Sequence, residues 1–281
     1  MTRTFISKEI WCSRTQMRDS AAPEKYKIYG KAYIPDGTGR YPLVIFSHEL
    51  GKNHESGVPY AERLAASGYA VYTFDYCGGT VFCNWKGEVV RPRRSSGKTT
   101  DASLVTWIED LKVVTAAAKN WAFVDPKKIF LAGGSQGAVS SALTACRDRQ
   151  LDDKLGIAGL ILLYPPLDLP ERMHSLFHTK EQIPESFDLF NGWIMLGRGY
   201  ADDIWDYDVY RDLAEYTKPV LILHGDKDDV VDISVSEEAV GIIPDCRFCR
   251  ICGGRHGFKG QAFEEACSRM LVFLNEIIIS K

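Results

Sequence analysis

The chain has 281 residues, 45% of them hydrophobic and 25% charged, and its 34 basic and 37 acidic side chains leave a formal charge of −3. Such a composition excludes disorder as the dominant state, because there is ample apolar material for a core. The absence of a basic excess argues against a nucleic-acid partner. No run approaches the roughly 18 uncharged apolar residues of a membrane span. The opening stretch MTRTFISKEIWCSRTQMRDS also has no sustained apolar leader segment. A cytoplasmic protein with no membrane partner is therefore expected.

Strand-like and helix-like segments alternate along the chain. Residues 26–34 read as a strand closed by the turn Pro35-Asp36-Gly37, and Leu43 to Ser47 (LVIFS) as a short buried strand. Pro59 to Ser67 has helical spacing and stops at Gly68, a natural C-cap. Ala70 to Tyr76 is the next strand, followed by a long loop. In that loop Arg91, Arg93, Arg94 and Lys98 lie among Pro92, Ser95, Ser96 and Gly97. They read as solvated charge, with an anionic ligand as the rival reading. Thr100 or Asp101 can cap a helix to about Ala118, with Leu104, Trp107, Ile108, Leu111 and Val114 on one face.

The second half repeats the rhythm. KIFLA (128–132) is a strand and 137–147 a helix; AGLILLY (158–164) is a strand closed by Pro165-Pro166. PVLILH (219–224) is a strand, 235–243 a helix, 247–252 a strand and 262–278 the last helix. This alternation implies a mainly parallel sheet with helices on both faces. The rhythm breaks between Pro166 and Pro219, about 50 residues, far longer than an ordinary connection. That segment carries Phe177, Phe187, Phe190, Trp193, Tyr200, Trp205, Tyr207 and Tyr210. It reads as a second small core, a cap over a site, or both.

The chemistry concentrates in three places. KIFLA runs into Gly133-Gly134-Ser135-Gln136-Gly137, a G-x-S-x-G between a strand and a helix. A sharp turn there lifts the serine hydroxyl out of the sheet, and small neighbours keep the turn from clashing. The helix that follows aims its dipole and free N–H groups at the same spot. A plain Gly-rich turn is the bland alternative. A nucleophilic serine needs a base, and the base needs a carboxylate to orient it. On such sheets the order is serine, acid, histidine. Downstream, PVLILH opens into Gly225-Asp226-Lys227-Asp228-Asp229-Val230-Val231-Asp232, and the last strand into Gly253-Gly254-Arg255-His256-Gly257-Phe258. Loops at the carboxyl ends of parallel strands are where these sheets place ligands.

Here the chain resembles the serine α/β-hydrolase superfamily, whose acid loop commonly reads H-G-x-x-D-x-x-V-P. Laid on HGDKDDVVD, that pattern puts the acid at Asp228. Asp226 then reads as a turn residue, Asp229 as pointing elsewhere and Asp232 as a helix N-cap. Among six histidines, His256 is the candidate base. His224 reads as a structural turn residue, His174 and His178 as pocket-lining or solvated, and His54 as able to reach the mouth of the site. An oxyanion hole needs two backbone N–H donors. Gln136 supplies one, and Leu50 in Ser47-His48-Glu49-Leu50-Gly51 supplies the other. Glu49 stands where the superfamily usually has glycine. It therefore points away, to a basic partner, or the loop has shifted. Cys246, Cys249 and Cys252 have metal-like spacing, but on a strand Cys249 faces away from the other two, so all three read as buried small hydrophobes.

Beyond the triad, FSHELG, AERLAASGYAVYTFDYCGG, GGSQGA, GLILLYPPLDLP, PVLILHGDKDDVV and GGRHGF follow one another without large gaps. Together they resemble the bacterial cinnamoyl (feruloyl) esterases and related acyl-ester hydrolases, from about residue 27 onward. The resemblance implies an α/β-hydrolase fold spanning residues 1–281 as one domain. It also implies a cap at about 166–217, after the sixth strand, that shapes an aromatic acyl pocket. Trp193, Tyr200 and Trp205 are the candidate substrate contacts. The expected activity is hydrolysis of small-molecule esters of hydroxycinnamic or other aryl acids through an acyl-enzyme, with no cofactor and no metal. A short-chain acyl or acetyl esterase, a serine peptidase and a non-catalytic ligand-binding module on the same fold are the alternatives. A homo-oligomer is compatible with the sequence.

Overall fold

In the computed structural model, residues 3–16, 24–79, 94–151 and 153–279 are described. Eight strands form one sheet: β1 (Phe5–Gln16), β2 (Glu24–Pro35), β3 (Tyr41–Ser47), β4 (Ala70–Phe74), β5 (Val124–Gly134), β6 (Ile157–Leu163), β9 (Val220–Gly225) and β10 (Cys246–Ile251). Their spatial order is β1-β2-β4-β3-β5-β6-β9-β10. The pairs β1/β2 and β2/β4 are antiparallel, and every later pair is parallel.

The parallel strands are apolar on both faces because both faces are covered. In β3, Leu43 and Ile45 enter one core while Val44 and Phe46 enter the other. In β9, Val220 and Ile222 face the first core, and Leu221 and Leu223 the second. The first core is closed by α2 (Leu104–Ala118), α3 (Gln136–Leu151) and α7 (Ile233–Ile242), the second by α1 (Val58–Ala65) and α8 (Gly260–Ile279). In β6 the alternation changes phase at Gly159, where the pairing with β5 shifts by one residue. That bulge re-aims Leu160 to Leu163 so that alternate residues still reach opposite cores.

One element has no counterpart in the sequence reading, and two expectations are corrected. The N-terminal lead-in is a strand of 12 residues, β1, at the edge of the sheet. It is pinned from within by Arg14, whose Nε donates to the buried Asp110 carboxylate of α2 at 2.6 Å. Helix α2 is capped by Ser103, in a reciprocal box with Thr106, and Thr99–Asp101 form a separate 3₁₀ turn. Cys252 is exposed, and Cys246 and Cys249 are half-buried against opposite cores. Of the basic loop cluster, Arg91 and Arg93 lie outside the described residues, while Arg94 stacks over Tyr29 at 4.4 Å. Among the described residues, no helix is long and apolar enough to cross a membrane.

Between β6 and β9 the chain leaves the sheet. It forms α4 (Leu169–Phe177), the antiparallel hairpin β7 (Ser186–Leu189) and β8 (Ile194–Gly197), α5 (Arg198–Ile204) and α6 (Val209–Ala214). Its aromatic residues have two separate fates. Phe187, Tyr200 and Trp205 are buried in a core continuous with the first one, and Phe177 packs against it. Phe190 and Trp193, at the hairpin tip, are exposed.

Candidate active site

Register brings the functional loops level. Ser47 pairs with Gly133, Gly134 with Leu163, Leu163 with Leu223, and Gly225 with Ile251. The loops that follow β3, β5, β6, β9 and β10 therefore emerge side by side at one edge of the sheet. They surround a cleft of about 1160 Å³ lined by Leu50, Ser135, Tyr164, His256 and, from the hairpin, Phe190 and Trp193.

Ser135 sits between β5 and α3 with φ of 51°, the left-handed region, which costs a non-glycine residue energy and is held here by its surroundings. Its N–H donates to Leu163 O at 2.9 Å, and its carbonyl accepts from Ala138 N at 2.9 Å. The turn closes only because of its glycines. A Cβ on Gly133 would stand 2.4 Å from the Gly137 backbone, and one on Gly137 would stand 2.3 Å from Ser47 O. The first N–H groups of α3, including that of Gln136, have no acceptor within the helix.

The loops that carry Asp228 and His256 meet. His256 Nδ1 lies 2.9 Å from Asp228 Oδ2 and 3.1 Å from Oδ1. Val230 N and Val231 N donate to Asp228 Oδ1 at 2.9 and 3.0 Å. A second imidazole also faces this carboxylate. His224 Nε2 is 3.4 Å from Asp228 Oδ2 and donates to Val231 O at 3.0 Å, while its Nδ1 bonds Ser236 Oγ at 2.7 Å. Burial alone would raise the Asp228 pKa. The hydrogen bonds with His224 and His256 and from the two valine amides outweigh it, holding the acid well below the usual carboxylate range. The other aspartates take the parts read for them. Asp226 accepts from Gly253 N at 2.7 Å, tying the two loops together, and Asp232 caps α7. Asp229 faces Arg255 at the surface. With Nδ1 engaged by Asp228, the His256 Nε2 is left for the serine. Among the described residues, Ser135 Oγ has no hydrogen-bond partner, and such contacts commonly tighten only with substrate bound.

The loop after β3 is fixed by His48, which is buried between Tyr76 and Trp107. Its Nε2 accepts from Tyr76 N, so Nδ1 carries the proton and donates to Glu49 O at 2.8 Å. Burial lowers the His48 pKa and keeps the ring neutral. Lys52 N also donates to Glu49 O, at 3.1 Å. With that carbonyl tied back, the Leu50 N–H on the same trans peptide points the opposite way.

Among the described residues, Glu49 does not meet a basic partner. Its Oε1 accepts from the Tyr164 hydroxyl at 3.1 Å, and its Oε2 is buried without a partner. Tyr164, the first residue beyond β6, packs its ring 4.7 Å from that of His256 and 5.0 Å from that of Phe258. Its φ of 40° is again left-handed. Sequence reading missed this residue. Its position, at the carboxyl end of the strand beside the one that leads into Ser135, was the available signal.

Of the three aromatic candidates, only Trp193 lines the cleft. Trp205 is buried under His174, whose Nε2 bonds its carbonyl at 2.9 Å. Tyr200 is buried, and its hydroxyl donates to Gln136 Oε1 at 2.5 Å, so the cap grips the residue that follows the serine. His54 turns away from the mouth to pair with Asp75, Nδ1 to Oδ1 at 2.6 Å.

A sheet of this order, a serine turn after β5 and an acid and a histidine after its last two strands define the α/β-hydrolase fold. Residues 101–238 match the family model described as alpha/beta hydrolase fold, and the chain has that fold. A structure of Est1E from Butyrivibrio proteoclasticus with ferulic acid bound is 28% identical, with a TM-score of 0.75 over 89% of this chain and 96% of that one. The quorum-quenching protein AidA of Acinetobacter baumannii (strain MDR-ZJ06) is 28% identical, over 88% of this chain and 90% of its own length. A structure of DcsB with its substrate analogue, at 18% identity and a TM-score of 0.72, shares the fold. The fold and these relatives support hydrolase activity.

Proposed function

We propose that the protein is a serine carboxylic-ester hydrolase. The observation that carries this reading is the Asp228–His256 hydrogen bond beside a serine held in the left-handed conformation at the floor of an open cleft. Ser135 Oγ attacks the ester carbonyl carbon as His256 Nε2 takes its proton. The Leu50 and Gln136 N–H groups receive the oxyanion. The tetrahedral intermediate collapses, and His256 passes the proton to the leaving alcohol. Water then attacks the acyl-enzyme, with His256 again as base, releasing the acid and restoring Ser135. Asp228 holds the imidazole tautomer and stabilises the imidazolium.

The acyl group is hydroxycinnamic or another aryl acid. Phe190 and Trp193, which wall the cleft from the hairpin, support this preference, as does the likeness to the ferulate-bound esterase. Labelling with a fluorophosphonate, located by peptide mass spectrometry, tests the class: an adduct on Ser135 is expected, and none on folded protein would overturn the reading. Kinetics on feruloyl, butyryl and acetyl esters test the preference, which fails if feruloyl turnover does not exceed that of the short chains. A second reading, in which the ester is a diffusible signal, rests on the equal identity to the quorum-quenching relative. Incubation with signal-containing culture medium and a reporter strain would test it.

A further inference from the structure

Glu49 occupies a position where a negative charge works against the reaction. It immediately precedes Leu50, and its side chain lines the same cleft as Ser135. Its Cγ and Oε1 come within 3.2 and 3.1 Å of the point where a Cβ on Gly134 would stand, so it lies against the backbone that leads into the nucleophile. Among the described residues no cation pairs with it. Its polar contacts are a phenol on Oε1 and none on Oε2. The other charged groups lining the cleft, Lys52, Glu55, Asp229 and Lys259, are exposed, two of each sign. Water and salt screen such rim charges, while a charge against the protein wall is screened far less. Glu49 therefore sets a carboxylate beside Ser135 that no side-chain cation offsets among the described residues.

We propose, resting on the esterase reading, that Glu49 is a charge filter. It selects esters whose groups flanking the scissile carbonyl are neutral or cationic, and it rejects anionic ones. Tyr164 is the positioning residue that makes this filter tolerable. By donating to Oε1 it holds the carboxylate off the oxyanion position. It can do so because its own ring is wedged between His256 and Phe258 and its N–H is bound to Leu223 O at 2.8 Å. The filter thus acts on the charge of the substrate, and the tether acts on the rate with any substrate.

The two roles separate experimentally. The probes are 4-nitrophenyl pentanoate and mono-4-nitrophenyl succinate, similar in length and differing in one negative charge. The unaltered protein should favour the neutral ester. Glu49→Gln should raise kcat/KM for the succinate about tenfold more than for the pentanoate. Glu49→Gly, a second variant should the amide perturb the loop, should move the ratio the same way. Tyr164→Phe should lower kcat on the neutral ester about tenfold with little change in KM, and the loss should vanish in the Tyr164→Phe/Glu49→Gln double variant. A purely structural tyrosine would cost the same in both backgrounds. An unchanged neutral-to-anionic ratio in both Glu49 variants overturns the filter, and an equal Tyr164→Phe loss with and without Glu49 overturns the tether. Failure of the unaltered protein to turn over either ester would instead overturn the esterase reading itself.

Discussion

Asp228 lies between two imidazoles, its Oδ2 2.9 Å from His256 Nδ1 and 3.4 Å from His224 Nε2. Only one of these rings reaches the cleft. The other is wholly buried and braces the carboxylate from behind. Asp228→Asn should therefore leave the loop in place and lower kcat about 10⁴-fold, by losing the imidazole tautomer. Steady-state kinetics and the rate of fluorophosphonate labelling would both report the loss.

The same carboxylate ties stability to pH. Its folded pKa lies below the unfolded value of about 3.9. The stability it contributes is complete above that value and is lost as pH falls toward the folded pKa. Urea midpoints measured from pH 7 down to pH 3 should fall more steeply below about pH 4 for the unaltered protein than for Asp228→Asn. Parallel curves would show that this carboxylate carries no linkage.

Gly137→Ala places a methyl group 2.3–2.4 Å from two main-chain oxygens at the end of β3. Backbone cannot yield as a side-chain tip can, so a loss of about 3 kcal/mol is expected. Thermal melting against Gly199→Ala, where nothing lies within 4 Å of the added Cβ, provides the comparison.

Arg14→Met would leave the fully buried Asp110 without its guanidinium. Removing one partner of a buried ion pair costs about 3–5 kcal/mol. The double variant Arg14→Met/Asp110→Leu should recover most of it, because no stranded charge remains. Denaturant titration of the unaltered protein and these two variants would reveal whether the edge strand is held by this pair.

Trp193 is 71% exposed, so Trp193→Ala should change stability by less than about 0.5 kcal/mol. If an aryl group packs on it, KM for feruloyl esters should rise about tenfold while acetyl ester kinetics stay unchanged.

The strands that build the site were legible because a buried parallel strand leaves a dense apolar run, as in LVIFS, KIFLA and PVLILH. The candidate residues Ser135, Asp228 and His256 were legible because their order along the chain and their strand–loop positions follow from the sheet. What escaped the sequence lacks such a pattern. β1 is an edge strand of mostly exposed residues, with Cys12 and Arg14 buried, and it is stabilised by partners far away in sequence, above all Asp110. Ser103 was overlooked as a cap because Thr100 and Asp101 carry equally good capping side chains, and only the geometry of the preceding 3₁₀ turn chooses among them. In the cap, composition announced aromatic packing, but could not divide the rings between core and cleft. That division depends on which residues fall at the hairpin tip. The Glu49–Tyr164 contact joins residues 115 positions apart, and local pattern gives no hint of it.

The hydrogen bond from Tyr200 to Gln136 fastens the cap to the turn that carries Ser135. Anyone exchanging this cap for that of a relative would be exchanging half of a fastening whose other half sits beside Ser135. The two residues would have to travel together, and a chimera that kept Gln136 but lost the phenol would test its new substrates with a loosened serine turn.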